Sequence, residues 1–266
     1  MPALVERLEY VTDCYPQARR LILEYFQSTG LQVQWKSDES PVTAADRGAE
    51  RLLREAIRRE FPQDAVLGEE EGETPGTSGY RWILDPVDGT RSFIQGVPLF
   101  GTLIGLEHDG EPVLGLCGMP ALDEVVYAAR GHGAWWRCGT QAPVAARVTN
   151  TASLADAMVS YTSVDLFEQT KQRWLFDRLR SAAKATRGWG DCYGHLLVAT
   201  GRADLHVDPI LFPWDASPFV TILTEAGGEF VDFQGRPTAH GGNGFSVNGH
   251  LKEQVLQILR APPHDA

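Results

Sequence analysis

The 266-residue chain lacks any apolar run near the roughly 18 residues that span a bilayer. Its first ten residues include Glu6, Arg7 and Glu9, which interrupt the apolar core that a signal peptide needs. A cytoplasmic protein with no membrane partner is therefore expected. Cysteine is scarce: Cys14, Cys117, Cys138 and Cys192 form no CxxC pair, and no histidine lies at zinc-finger spacing. Neither a disulfide framework nor a structural zinc site is expected. Basic residues are in deficit, with 24 Lys and Arg against 35 Asp and Glu for a net charge of −11. That balance disfavours nucleic acid or anionic lipid as a partner, and at face value a phosphate-bearing substrate as well. No repeats or low-complexity stretches are visible. The 43% hydrophobic and 22% charged content is that of a globular chain, not a disordered one.

Leu4, Leu8, Val11, Tyr15, Ala18, Ile22 and Tyr25 recur at steps of three and four and predict an N-terminal helix. Pro16 inside that pattern predicts a kink or a split. A second helix is expected over about 43–60, with Thr43 as N-cap and Pro62 as stop. Short strands follow at 65–67 and 81–84, then hairpins at 101–107 with 112–117 and at 125–129 with 134–137. Beyond them strands at 158–162, 203–207, 229–233 and 245–247 alternate with helices at 167–184, 191–200, 214–226 and 250–259. The expected class is α/β (α+β), with helix and sheet layers packed alternately. Two halves of one catalytic unit, 1–145 and 146–266, are expected to join where periodicity fades near 141–155.

The most informative stretch is Trp82-Ile83-Leu84-Asp85-Pro86-Val87-Asp88-Gly89-Thr90. An apolar strand ends in two carboxylates three residues apart, and Pro86 is expected to end the ladder and stiffen the turn. Both carboxylates can then address one spot beyond the strand. Such oxygen donors, with the Val87 carbonyl, suit Mg²⁺, which keeps positions for water and substrate phosphate. Gly68-Glu69-Glu70-Glu71 also follows a strand. Asp215 in Trp214-Asp215 opens an apolar helix, where it also reads as a cap. Asp46 likewise reads as a first-turn acid on the helix dipole.

Taken in order, Lys36, Asp46, Gly68-Glu69-Glu70, Asp85-Pro86-Val87-Asp88-Gly89-Thr90 and Trp214-Asp215 resemble the lithium-sensitive inositol monophosphatase family of Mg²⁺-dependent phosphatases. Residues 199–204 (Ala-Thr-Gly-Arg-Ala-Asp) and 224–228 (Thr-Glu-Ala-Gly-Gly) extend the resemblance through the second half of the chain. It implies a layered αβαβα sandwich of the inositol monophosphatase and fructose-1,6-bisphosphatase type, two to three Mg²⁺ ions per site, and a homodimer. By this resemblance Glu69, Asp85 and the Val87 carbonyl hold one ion, and Asp85, Asp88 and Asp215 a second. Glu69 also serves a weaker third. Thr90, oriented by Asp46, joins Glu69 in positioning and deprotonating the attacking water, while the Gly89 and Thr90 amides face the phosphate. Paired ions can stabilise both the entering and the leaving oxygen of an in-line displacement, so no phosphoenzyme is expected.

The stretch from Thr90 to Leu106 and the run Gly190-Asp191-Cys192-Tyr193 resemble the histidinol-phosphate phosphatase branch more than the inositol branch. Histidinol phosphate carries an amine and an imidazole. Asp191 and Asp208 are accordingly expected as substrate ligands, beside Asp88, Gly89, Thr90 and Asp215. Inositol-1-phosphate is the runner-up, followed by fructose-1,6-bisphosphate and 3′-phosphoadenosine phosphates. Two departures from the family pattern, Arg91-Ser92 after the Gly-Thr and Ser217-Pro218 after Trp-Asp-Ala, bear on substrate choice rather than on the ligands. No catalytic role is expected for His195, His206 or His240, and Trp135-Trp136 reads as sheet packing. A haloacid-dehalogenase-type phosphatase would have its acids two apart, the first a covalent nucleophile. A non-catalytic metal-binding regulator should have lost ligands that are all present here. Two Mg²⁺ would cancel Glu69, Asp85, Asp88 and Asp215, so the acidity implies that metal precedes substrate rather than excluding phosphate.

Overall fold

The computed structural model describes residues 2–29, 32–35 and 41–261; Lys36 lies outside them. Helix α1 (Pro2–Tyr25) is not split at Pro16. A helix-interior proline costs about 3 kcal/mol. The same helix buries Val11, Tyr15, Ala18 and Ile22 almost completely, and at about 1.5–3 kcal/mol for each large apolar side chain the burial outweighs the lost bond.

A ribbon of β1 (Val33–Trp35) and β2 (Pro41–Thr43) leads into α2 (Ala44–Glu60). Then come β3 (Ala65–Gly68), β4 (Gly72–Thr74), β5 (Tyr80–Asp88), the short α3 (Thr90–Ile94), β6 (Gly101–His108), β7 (Glu111–Met119), β8 (Glu124–Ala129), β9 (Ala134–Cys138) and β10 (Val144–Ala145). These eight strands form one sheet in the order β10-β9-β8-β7-β6-β5-β3-β4. Its neighbours are antiparallel apart from β3 and β5, which run parallel.

The rest of the chain supplies β11 (Met158–Tyr161), α4 (Val164–Gln169), α5 (Arg173–Ala182), β12 (Ala185–Arg187), α6 (Asp191–Ala199), β13 (Leu205–Asp208), α7 (Pro213–Glu225), β14 (Gly228–Val231), β15 (Gly244–Asn248) and α8 (Lys252–Arg260). Its strands form a second sheet in the order β12-β11-β13-β15-β14. The single helix expected over 167–184 is two, because the backbone turns left-handed at Lys171 (φ 58°) between α4 and α5. The ribbon, β4, β10 and β12 had no counterpart in the sequence reading, being too short to show a period.

Side-chain alternation sorts these elements into five layers. Trp82, Leu84, Ile104, Leu106, Leu114 and Leu116 face α1 and α2 on one side of the first sheet. Leu103, Cys117, Met119 and Val126 face α6 and α7 on the other. The second sheet packs Phe230 against those same helices and presents Val159, Leu205, Val207 and Phe245 to α4, α5 and α8. The order helix–sheet–helix–sheet–helix is the αβαβα sandwich, with α6 and α7 enclosed between the sheets. Among the described residues no helix is long and apolar enough to cross a membrane.

Helix α7 lies very close to the first sheet because two strand positions there are glycine. A Cβ on Gly115 would fall 2.1 Å from the Pro218 carbonyl oxygen, and one on Gly105 would fall 2.5 Å from Ser217 Oγ. Ser217 and Pro218, the sequence departures noted above, are therefore the residues that seat α7 on the sheet. Gly115→Ala should destabilise the fold by about 1–3 kcal/mol through overpacking. Gly249→Ala, which meets nothing within 4 Å, should lie within about ±0.5 kcal/mol of the parent. Equilibrium urea unfolding of the two variants checks the contrast.

Candidate active site

Strands β3 and β5 run parallel with Gly68 opposite Leu84, so the loops that leave them emerge on the same side. The backbone continues to couple them there, since the Glu69 amide donates to the Leu84 carbonyl at 3.1 Å. Contrary to the sequence expectation, Pro86 does not end the ladder. Strand β5 carries on through a bulge, with Asp85 opposite Leu103 and Asp88 opposite Gly101. The bulge leaves the Pro86 carbonyl to accept from Thr102 Oγ1 at 2.9 Å, while Asp85 Oδ1 accepts from the Val87 amide at 3.0 Å. Bulges of this kind redirect side chains at sheet margins.

Two helix starts in the central layer close on this bulge. Asp215, in the first turn of α7, accepts from the Phe212 amide at 2.8 Å. At the start of α6 the Cys192 amide donates to Asp88 Oδ2 at 2.6 Å. As a result Asp85, Asp88 and Asp215 bring carboxylate oxygens within 4.8 Å of one another.

Burial and crowding push all three carboxyls up. Asp85 is raised well above the usual carboxylate range by burial, then by the charges of Glu69, Asp88 and Asp215. Burial pushes Asp88 up to about 6 against the opposing Cys192 bond, with Glu69 adding to the rise. Asp215 is raised well above its ordinary value by burial and by Asp88, against the Phe212 amide. Glu69 thus bears on every member of the trio.

Asp46 faces the trio from α2. Thr43 caps that helix as expected, its hydroxyl accepting from the Ala45 amide at 3.1 Å. Asp46 Oδ2 completes a capping box by accepting from the Thr43 amide at 2.9 Å and from the Thr43 hydroxyl at 2.5 Å. The other oxygen, Oδ1, lies 3.4 Å from Thr90 Oγ1, which also reaches the Val87 carbonyl at 3.0 Å. Burial raises the Asp46 carboxyl, with the Thr43 bonds opposing. Gly89, which precedes α3, is left-handed at φ 79°, a conformation that favours glycine.

Asp191 is also left-handed, at φ 54°, and is held there by its amide bond to Thr162 Oγ1 at 2.8 Å. Its carboxylate sits over Gly89, with Oδ2 3.0 Å from where a Cβ would be. Burial raises it well above the usual range, with Asp88 and Asp208 adding and Arg91 opposing. A cavity of about 70 Å³ lies between Asp88, Asp191, Cys192, His195, Asp208 and Asp215.

Asp208 differs from the sequence expectation of a substrate ligand. It is buried beneath that cavity, with Oδ2 2.8 Å from His206 Nε2 and 3.2 Å from His195 Nε2 and Oδ1 accepting from the Thr162 amide at 3.3 Å. Burial would raise its pKa, but the two imidazoles outweigh it and hold the carboxyl below the usual range. Burial holds His195 down to about 4, so that ring is neutral. The ring nitrogens away from Asp208 meet Ser246 Oγ and Ser160 Oγ, each at 2.7 Å. His240 lies elsewhere, against Glu107.

Sequence reasoning missed Glu50. It is fully buried one turn beyond Asp46, with Oε2 accepting from the Glu70 amide at 2.8 Å and Oε1 from the Glu71 amide at 3.0 Å. The signal was present: Asp46, Glu50 and Arg54 recur every four residues on a helix face that should be apolar.

A fold with these layers and an acid-ringed cleft at its sheet ends is that of a phosphatase. It aligns with an inositol monophosphatase from Zymomonas mobilis at a TM-score of 0.84 and 32% identity, covering 97% of this chain and 99% of that one. The chain belongs to the inositol monophosphatase family, whose profile matches residues 8–263, and is a phosphoric monoester hydrolase. It is 45% identical over 253 residues to a histidinol-phosphatase from Chlorobaculum parvum, covering 95% of this chain and 96% of that protein. A histidinol-phosphatase from Streptomyces coelicolor is 35% identical over 263 residues, covering 97% and 98%.

The raised carboxyls of Asp85, Asp88 and Asp215 set the sign of a pH effect on the metal-free protein. Each contributes stability that is complete below the usual carboxylate pKa and is lost as pH rises through its folded value, for Asp88 from 3.8 to about 6. The unfolding temperature of metal-free protein should therefore fall as pH rises from about 4 to about 6, and fall less steeply in Asp88→Asn. Differential scanning calorimetry across that range checks both.

Proposed function

We propose that this chain is a Mg²⁺-dependent phosphomonoesterase that hydrolyses histidinol phosphate to histidinol by direct attack of water. The observation that carries the reading is the convergence of Asp85, Asp88 and Asp215 beside the Thr90–Asp46 pair. Buried carboxylates this close cannot all ionise unless a cation joins them, and an all-oxygen donor set fits a hard divalent ion. Glu69, Asp85 and the Val87 carbonyl would hold one ion, Asp85, Asp88 and Asp215 a second, and Glu69 would help with a third. Bound there, the ions would neutralise charge on the ester and acidify a water.

The chain's own groups supply orientation. Asp46, one oxygen fixed by Thr43, uses the other to draw the Thr90 proton and leave the Thr90 oxygen free to accept from the incoming water. Glu69 takes up the proton that this water loses. The Gly89 and Thr90 amides bind phosphate oxygens. Helix α3 is too short for its dipole to matter, so the contribution is that of the amides themselves. At the alcohol end, Asp191 receives a cationic amine or imidazolium of the substrate, and Asp208 adds negative charge from below. The relatives named histidinol-phosphatase support this choice of ester. Histidine biosynthesis, a cytoplasmic location and a homodimer follow as expectations of the same reading.

Phosphate release measured with Mg²⁺ on histidinol phosphate, inositol-1-phosphate, fructose-1,6-bisphosphate and 3′-phosphoadenosine 5′-phosphate tests it. The highest kcat/KM should belong to histidinol phosphate, and a higher value for inositol-1-phosphate would overturn the assignment. Asp88→Asn should abolish metal-dependent hydrolysis, and Thr90→Ala should lower kcat by about 10²–10⁴-fold. Asp191→Asn should raise KM for histidinol phosphate by about tenfold or more, as loss of a charged hydrogen bond of about 1.5–3 kcal/mol requires. KM for inositol-1-phosphate should change much less.

A further inference from the structure

Glu69 sits at the tip of a hairpin. Strands β3 and β4 pair antiparallel with Gly68 opposite Gly72, which leaves Glu69, Glu70 and Glu71 as the connection. Three consecutive acids share this tip, and the course of the backbone decides where each of them points.

The pin is Glu50. Its carboxylate accepts the Glu70 and Glu71 amides, and the Glu69 amide is bound to Leu84, so the backbone donors of all three acids are engaged. Glu50 Oε1 also accepts from Arg54 Nε at 2.8 Å. The Arg54 guanidinium reaches the Val66 carbonyl at 3.4 Å, Thr74 Oγ1 at 3.2 Å and the Gly72 carbonyl. One buried ion pair thus grips both strands and the tip of the hairpin. Space for it is reserved at Gly68, where a Cβ would fall 2.2 Å from Glu50 Oε1.

A buried ion pair is a poor way to gain stability, since well-packed apolar residues of similar volume usually do as well or better. What the pair achieves here is registration. Asp46, which orients Thr90, and Glu50 stand one turn apart on α2, so a single rigid helix fixes the distance from the Thr90 hydroxyl to the Glu69 loop.

We infer that Glu50 is a positioning residue that sets the metal affinity of the site by holding the Glu69 loop in place. The inference rests on the proposed metal role of Glu69. Second-layer partners of this kind commonly change metal affinity by about 10–100-fold when removed.

The test is isothermal titration of Mg²⁺ into metal-free wild-type protein, Glu50→Gln, Gly68→Ala and Ile57→Val. Glutamine has one acceptor oxygen where two amides and Arg54 must be met, and should weaken Mg²⁺ binding by about 10–100-fold. The Mg²⁺ concentration for half-maximal rate should rise in parallel. Gly68→Ala, which displaces the carboxylate while keeping Glu50, should act in the same direction and decides the matter if Glu50→Gln does not fold. Ile57→Val is fully buried on the same helix away from the site and should lose stability without losing affinity. Wild-type affinity in Glu50→Gln or Gly68→Ala, or an equal loss in Ile57→Val, overturns the inference. Failure of the wild-type protein itself to bind Mg²⁺ instead overturns the proposed function beneath it.

Discussion

Repulsion among buried carboxylates is the constraint on which the rest of this structure depends. Asp85, Asp88 and Asp215 come together in a place where burial raises the pKa of all three and the nearby Glu69 carboxylate adds to each rise. Each unit of such a shift is about 1.36 kcal/mol of unfavourable interaction for the ionised form. No local preference of the chain would assemble them. Three separate devices do so: a bulge that turns Asp85 and Asp88 out of one strand, a helix start that carries Asp215 across from the other half, and a backbone amide at Cys192 that satisfies Asp88 from behind. The strain is held by the apolar layers around it, and a bound cation would convert it into affinity.

The enclosed position of α6 and α7 explains how distant parts of the chain hold such a cluster steady. An exposed helix could shift to relieve the repulsion. Helix α7 cannot, because Ala216, Phe219, Ile222 and Leu223 are buried in the core shared with both sheets, and its Pro218 turn rests on Gly115. The first sheet ends with Val144–Ala145 and the second begins with Met158–Tyr161, which marks a division between two halves. The apolar core nevertheless runs across it, and the acids on either side of the division belong to one cleft.

How much was legible in the sequence follows from the range of each interaction. The capping box at Thr43 and Asp46 and the strand leading to Asp85 depend on neighbours within a few residues, and their outlines are visible in the chain. Alternating helix and sheet layers were legible in the pattern of elements and their αβαβα order through resemblance, while the expected split at Pro16 and end of the ladder at Pro86 did not occur. At Pro16 tertiary burial overrode the local penalty, and at Pro86 a bulge absorbed the missing donor instead of ending the strand. Glu50 stands out in the helical pattern and Asp208 was read as a substrate ligand, but the partners of neither were legible. What each does is decided by partners far along the chain, the amides of Glu70 and Glu71 for one and His195 and Thr162 for the other.

Asp208 and Asp191 show why counting acids near a cleft is a weak guide to specificity. Both precede or open elements that line the same small cavity, yet their electrostatic states are opposite. Two imidazoles hold Asp208 below the usual range, so it stays ionised, but its oxygens face the protein. Burial and nearby acids push Asp191 up, with Arg91 opposing, so its ionised form is the one that gains from a cation. A cation arriving at the alcohol end of an ester gains most beside the carboxylate that most lacks a partner. Asp208, ionised and already hydrogen-bonded, fixes Thr162, which in turn holds the left-handed Asp191 backbone. The two acids thus form a relay of support, in which the buried one sets the geometry of the outer one.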